Sequence, residues 1–169
     1  TPFGCGQCAH CRANKKRLWT HRILLESMEH RTSTFVTLTY DDENIPKDHS
    51  LQKKDYQNFL KRLRYRKNEK IRYYGVGEYG DNSNRPHYHF ILFNYPYLDT
   101  LNIEQAWSLD GRQLGRTENQ ELSVNNAAYI TKYLNKNMTN PKNPEVKKWL
   151  EGRTPEFKTS SNRPGLGKK

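Results

Sequence analysis

The stretch Arg85-Pro86-His87-Tyr88-His89-Phe90-Ile91-Leu92-Phe93 puts two histidines inside a run that reads as a β-strand. Side chains alternate along a strand, so His87 and His89 share one face, with Ile91 and Phe93 further along it. Two imidazoles about 7 Å apart on one strand can converge on a single metal ion if a third ligand is near. Downstream, Ala127-Ala128-Tyr129-Ile130-Thr131-Lys132-Tyr133-Leu134 carries tyrosines at i and i+4. On a helix those phenols lie on one face, one turn apart.

The rest of the chain supplies elements to surround that strand. Residues 12–30 hold Leu18, Trp19, Ile23, Leu24 and Met28 at close to helical period, and residues 34–40 are β-branched and aromatic, a strand. Residues 53–67 form a helix with Tyr56, Phe59, Leu60 and Leu63 as its buried stripe and Lys61, Arg62, Arg64 and Arg66 as a solvated face. A strand over 71–78 ends in Gly80-Asp81-Asn82-Ser83-Asn84, which has strong turn chemistry, so residues 87–93 return as its hairpin partner. A short helix follows over 101–107, then a weak hairpin through Asp110-Gly111, then a helix capped by Asn125 or Asn126 and running to Asn137. Beyond Pro141 the chain is basic and proline-punctuated, with a short helix near 145–150. The order strand, helix, hairpin, helix predicts an α+β fold: a central antiparallel sheet with flanking helices.

A length of 169 residues suits a single domain spanning 1–169, with an N-terminal cysteine cluster and helix (1–31) and a basic C-terminal extension (141–169). The chain opens on Thr1 and closes on two lysines, which reads as an excised or trimmed piece. A net charge of +11 points to a polyanionic partner, nucleic acid before membrane. No apolar run approaches the roughly 18 residues that span a bilayer. Cys5, Cys8 and Cys11 are odd in number and closely spaced, unlike a disulfide framework, and fit a reducing cytoplasm. With His10 or His21 they could close a structural Zn²⁺ site; otherwise they are free thiols at the head of a helix.

These pieces suit attack on a phosphodiester. A phenol titrates near pH 10 and needs help to attack, which a divalent ion on a phosphate oxygen supplies at the electrophile. Lys132, three residues past Tyr129, can stabilise developing charge. Glu78, at the end of the preceding strand, is the preferred third ligand beside His87 and His89, and Asp81, in the turn, is the runner-up. Two histidines and a carboxylate with open positions suit Mg²⁺ or Mn²⁺. The same set could hold non-haem iron, but that chemistry has no use for a Tyr-x-x-Lys-Tyr helix on so basic a chain. The rival of another class is a non-catalytic basic module that binds single-stranded nucleic acid, its tyrosines stacking bases and its cysteines holding zinc.

In three motifs the chain resembles the HUH endonucleases: the strand Phe35-Val36-Thr37-Leu38-Thr39-Tyr40, then Arg85-Pro86-His87-Tyr88-His89, then Tyr129-Ile130-Thr131-Lys132-Tyr133. More narrowly, the cysteine cluster, residues 37–43, Gly77-Glu78-Tyr79-Gly80 and Arg163-Pro164-Gly165-Leu166-Gly167 resemble rolling-circle replication initiators of Microviridae, especially gokushovirus-like phages. Plasmid or transposon nucleases are the nearest alternative within the superfamily. The resemblance implies an antiparallel palm with the metal site on one face and the tyrosine helix beside it. It implies attack on single-stranded origin DNA, giving a 5′-phosphotyrosine and a free 3′-hydroxyl. Tyr129 and Tyr133 match the alternating phenols, His87, His89 and Glu78 the metal ligands, and Tyr88 the hydrophobic position between the histidines. Host helicase and polymerase are the implied partners, in the cytoplasm of an infected bacterium.

Overall fold

The computed structural model describes residues 3–132 and 143–168. Helix α1 (Ala9–Met28) leads into strand β1 (Ser33–Leu38), then α2 (Lys53–Lys67) and the hairpin β2 (Tyr73–Tyr79) and β3 (Pro86–Phe93). Next come α3 (Thr100–Ala106), the two-residue strands β4 (Ser108–Leu109) and β5 (Arg112–Gln113), β6 (Thr117–Glu121) and α4 (Val124–Ile130). Helix α5 (Pro144–Trp149) and strand β7 (Phe157–Ser160) follow. The main sheet has five strands in the order β6-β1-β3-β2-β7, each neighbouring pair antiparallel, so the expected α+β architecture is the one observed. No helix among the described residues is long and apolar enough to cross a membrane.

Strand β3 lies at the centre and is covered on both sides, which is why its sequence is almost continuously apolar. On one face Tyr88, Phe90 and Leu92 join Val36 and Leu38 against Tyr56, Phe59, Leu60 and Leu63 of α2 and Ile103 and Ala106 of α3. On the other, Ile91 and Phe93 join Phe35, Tyr74 and Val76 beneath Ile23 of α1 and Ala127 and Ile130 of α4. Each such large side chain contributes about 1.5–3 kcal/mol when taken fully out of water. Two glycines make room for the rings: a Cβ at Gly75 would lie 2.2 Å from the Phe90 ring, and one at Gly77 would lie 2.5 Å from that of Phe157.

Helix α2 has the predicted bounds and ends at Asn68, whose left-handed backbone (φ 50°) returns its N–H to the carbonyls of Arg64 and Tyr65. Its arginines do more than face water. Arg62 and Arg64 donate to the carbonyls of Ala106 (3.1 Å) and Ile71 (2.7 Å), and Arg66 donates to the Asn102 amide oxygen (3.1 Å), tying α3 and the entry to β2 onto the helix.

Helix α1 departs further from expectation. Ile23 is buried and Trp19 and Leu24 partly so, but Leu18 and Met28 face solvent, because only a narrow stripe of this helix meets the sheet. A buried acid helps dock it: Glu26 pairs with Arg72 and accepts the Gly167 N–H at 3.1 Å. Burial pushes its carboxyl up, but the bonds from Arg72, Gly167 and His30 outweigh this and leave it below its ordinary value. The basic C-terminal segment is part of the architecture too. It supplies β7, which pairs with β2, and buries Leu166 beside Ile23, with Arg22 donating to the Leu166 carbonyl at 3.0 Å. Nothing in the alternation of residues 157–160 announces a strand.

Candidate metal and tyrosine site

Register builds the centre of the site. Glu78 of β2 stands directly opposite His87 of β3, and Thr37 of β1 directly opposite His89. All four side chains emerge on the sheet face that α1 and α4 cover. Glu78 Oε1 lies 3.1 Å from His87 Nε2 and 3.0 Å from His89 Nε2. Asp81, the runner-up, sits exposed in the turn beyond β2 and outside this group.

The far side of each imidazole is held as well. His87 Nδ1 lies 3.2 Å from the Arg85 carbonyl, which can only accept, so a proton on Nδ1 would leave the Nε2 lone pair free for a metal ion. His89 Nδ1 is held by the Thr37 hydroxyl at 3.0 Å, and its ring stacks on Phe35 at 5.3 Å. His89 Nε2 is buried, and although close to Glu78 it lacks a hydrogen bond of good alignment. Burial pushes the His89 pKa down, keeping its ring neutral. Burial alone would raise that of Glu78, but the two imidazoles beside it prevail and hold the carboxyl far below the usual range. One oxygen of Glu78 and one ring nitrogen each of His87 and His89 thus lie within 4.8 Å of one another, a spacing that a single cation could bridge. A divalent cation fits this donor set.

Helix α4 brings the phenol. Its N-cap is Ser123 rather than Asn125 or Asn126: Ser123 Oγ accepts the Asn126 N–H (3.1 Å) and the Asn126 amide oxygen accepts the Ser123 N–H (2.7 Å), a reciprocal capping box. Ala127 and Ile130 face the core, and Thr131 just beyond the helix meets Thr20 of α1 hydroxyl to hydroxyl at 2.9 Å. Tyr129, on the next face, is 40% exposed, its ring edge-on to His89 at 5.4 Å and its hydroxyl 3.4 Å from Glu78 Oε1. Lys132 Nζ lies 3.8 Å from the centre of the Tyr129 ring, a cation–π contact rather than one to the hydroxyl. The helix was expected to reach Asn137; α4 ends at Ile130, and Tyr133 lies outside the described residues.

Sequence reasoning overlooked Thr37, Phe35 and the Arg85 carbonyl as supports of the histidines. Their signal lay in the first-motif strand and in the residue preceding Pro86, read only as a motif. Tyr88 fills the position between the histidines by pointing to the opposite face, fully buried, where its hydroxyl meets that of Tyr40 and accepts the Gln52 N–H, both at 2.8 Å.

A second group stands apart at the head of α1, where donor atoms of Cys5, Cys8 and Cys11 lie within 4.8 Å of one another. Neither predicted histidine joins them. His10 Nε2 lies 3.2 Å from the Asn14 amide nitrogen, and His21 is ten residues past Cys11, about 15 Å along the helix.

The family described as replication-associated protein ORF2/G2P matches residues 33–138, from β1 past α4. The chain is 31% identical over 182 residues to replication-associated protein VP4 of Bdellovibrio phage phiMH2K, covering 88% of this chain and 58% of that protein. It is 26% identical over 158 residues to replication-associated protein ORF4 of Chlamydia phage 1, covering 80% of this chain and 38% of that protein. Similarity to replication-associated protein ORF2 of Spiroplasma virus 4 is 29% over 159 residues, 79% of this chain and 48% of that protein. The chain thus spans about half the length of these relatives. No solved structure matches it.

Proposed function

We propose that this chain, which belongs to the replication-associated protein ORF2/G2P family, is a metal-dependent nicking and joining domain that opens single-stranded origin DNA to start rolling-circle replication. We read residues 1–169 as one such domain. The carrying observation is the Tyr129 hydroxyl 3.4 Å from Glu78 Oε1, the same oxygen that His87 and His89 approach.

In this reading Glu78, His87 and His89 hold Mg²⁺ or Mn²⁺, which when bound draws charge from a phosphate oxygen and makes the phosphorus a better electrophile. Tyr129 is held by its edge contacts with His89 and Phe35, so its oxygen faces that phosphate with little freedom to lose. The phenol oxygen forms a bond to phosphorus, the bond from phosphorus to the 3′ oxygen breaks, and the phenol proton ends on the released 3′-hydroxyl. One phosphodiester is exchanged for another, so the step is reversible and can rejoin strands. Lys132, beside the phenol ring, favours the developing phenolate and the incoming phosphate. Tyr133 is assigned the second phenol, cutting the regenerated origin while Tyr129 still holds the first 5′ end. The +11 charge supports general attraction to the DNA backbone, and host helicase and polymerase are the partners that would extend the freed 3′ end.

The rival, a binding module without catalysis, accounts for the charge but gives no reason for a phenol beside a buried Glu-His-His group. Incubation with labelled single-stranded origin DNA and Mn²⁺ separates the two. The nicking reading predicts a labelled protein band that survives denaturing electrophoresis and is mostly lost in Tyr129→Phe. A binder gives no such band.

A further inference from the structure

The three cysteines take no part in the chemistry above, and their geometry is specific. Cys5 and Cys11 Sγ are 3.9 Å apart, and donor atoms of all three residues lie within 4.8 Å of one another. Tetrahedral zinc with Zn–S bonds of about 2.3 Å requires sulfurs about 3.8 Å apart. A disulfide needs about 2.05 Å, and a trio of thiols could not all be used by one. Backbone N–H groups aim at the sulfurs: Cys8 N–H at Cys5 Sγ (3.2 Å) and Cys11 N–H at Cys8 Sγ (3.4 Å), the latter also capping α1. The intervening chain is shaped for this. Gly6 takes φ 74°, open to glycine at no steric cost, and a Cβ on Gly4 would lie 2.9 Å from Cys11 Sγ. Cys5 and Cys8 are exposed, so they do not serve as core residues.

We propose that Cys5, Cys8 and Cys11 bind one Zn²⁺ as thiolates, with the fourth position open to solvent. Binding releases the thiol protons to water and leaves a cluster of net negative charge at the N-terminus of a 20-residue helix, where the helix dipole favours it. The ion would fasten the start of α1. Through the Thr20–Thr131 contact and the packing of Ile23 against Ala127 and Ile130, the same helix supports α4 and its tyrosine from behind. The ion's role would be to hold the start of α1, apart from the Glu78, His87 and His89 group.

The test is metal analysis of the chain purified under reducing conditions. We expect about one zinc per chain, undiminished in a His87→Ala/His89→Ala double variant and lost in Cys8→Ser. Replacement by Co²⁺ should give thiolate-to-cobalt charge-transfer absorption. To keep the result separate from any folding defect of cysteine variants, a mercurial can be titrated into the wild-type chain: zinc should be released in step with modification of the three thiols. Iron with labile sulfide in place of zinc would overturn the proposal. So would zinc that survives Cys8→Ser, or a disulfide-bonded mass with no metal bound.

Discussion

Thr37→Val isolates the support behind one histidine. The substitution removes the hydroxyl 3.0 Å from His89 Nδ1 while keeping a branched side chain suited to β1. Thr37 is only half-buried, so the stability loss should lie near the ordinary net value of a hydrogen bond, about 1 kcal/mol. The larger effect falls on the metal. Without its partner the imidazole is free to rotate or to place its proton on Nε2, and loss of such an outer contact typically weakens metal affinity about 10–100-fold. That corresponds to about 1.4–2.8 kcal/mol, more than the expected stability loss, so the two effects are separable. Nicking measured across a Mn²⁺ titration, beside a urea melt, should show a half-saturating Mn²⁺ raised about 10–100-fold. Single-strand affinity should be unchanged, and Thr37→Ser should restore the wild-type Mn²⁺ requirement. An unaltered Mn²⁺ requirement accompanied by lost stability would refute the reasoning and make the Thr37 contact one of packing alone.

His87→Ala or His89→Ala should abolish cleavage and leave most single-strand binding, which comes mainly from backbone charge; parallel loss of both in a folded protein would make the histidines structural. Glu78→Gln should raise the Mn²⁺ needed for nicking markedly and Asp81→Asn should not, as read in the same titration. Tyr88→Phe removes one of the two partners of the Tyr40 hydroxyl, which keeps its bond to Asp55, and the acceptor of the Gln52 N–H on the opposite face; it should cost about 1–3 kcal/mol in urea while activity per folded molecule stays near wild type.

The legible parts of this molecule are those in which periodicity and burial coincide. Helix α2 could be bounded because its buried stripe is regular and Asn68 stops it. Strand β3 could be recognised because both of its faces are covered. The pairing of Glu78 with His87 followed from a turn-rich loop between two strands, which leaves few registers open. Strand β7 was not legible because an edge strand needs little apolar alternation, and of its four residues only Phe157 is buried. The cap of α4 was misplaced because Asn125 and Asn126 are both good caps by type, whereas the reciprocal bond between Ser123 and Asn126 depends on spacing. In α1 the apolar residues outnumber the positions that touch the sheet, so Leu18 and Met28 looked like core and are not. The support from Thr37 crosses between strands 52 positions apart, beyond the reach of any local pattern.

The most direct test of the account is to locate the covalent bond. After reaction with origin DNA and Mn²⁺, nuclease trimming and proteolysis, mass spectrometry of the nucleotide-bearing peptide identifies the attacking residue. The geometry at Glu78 predicts a 5′-phosphotyrosine at Tyr129 as the principal product on a simple origin oligonucleotide, with Tyr133→Phe still able to form it. Nucleotide found only on Tyr133, and retained in full by Tyr129→Phe, would contradict the assignment.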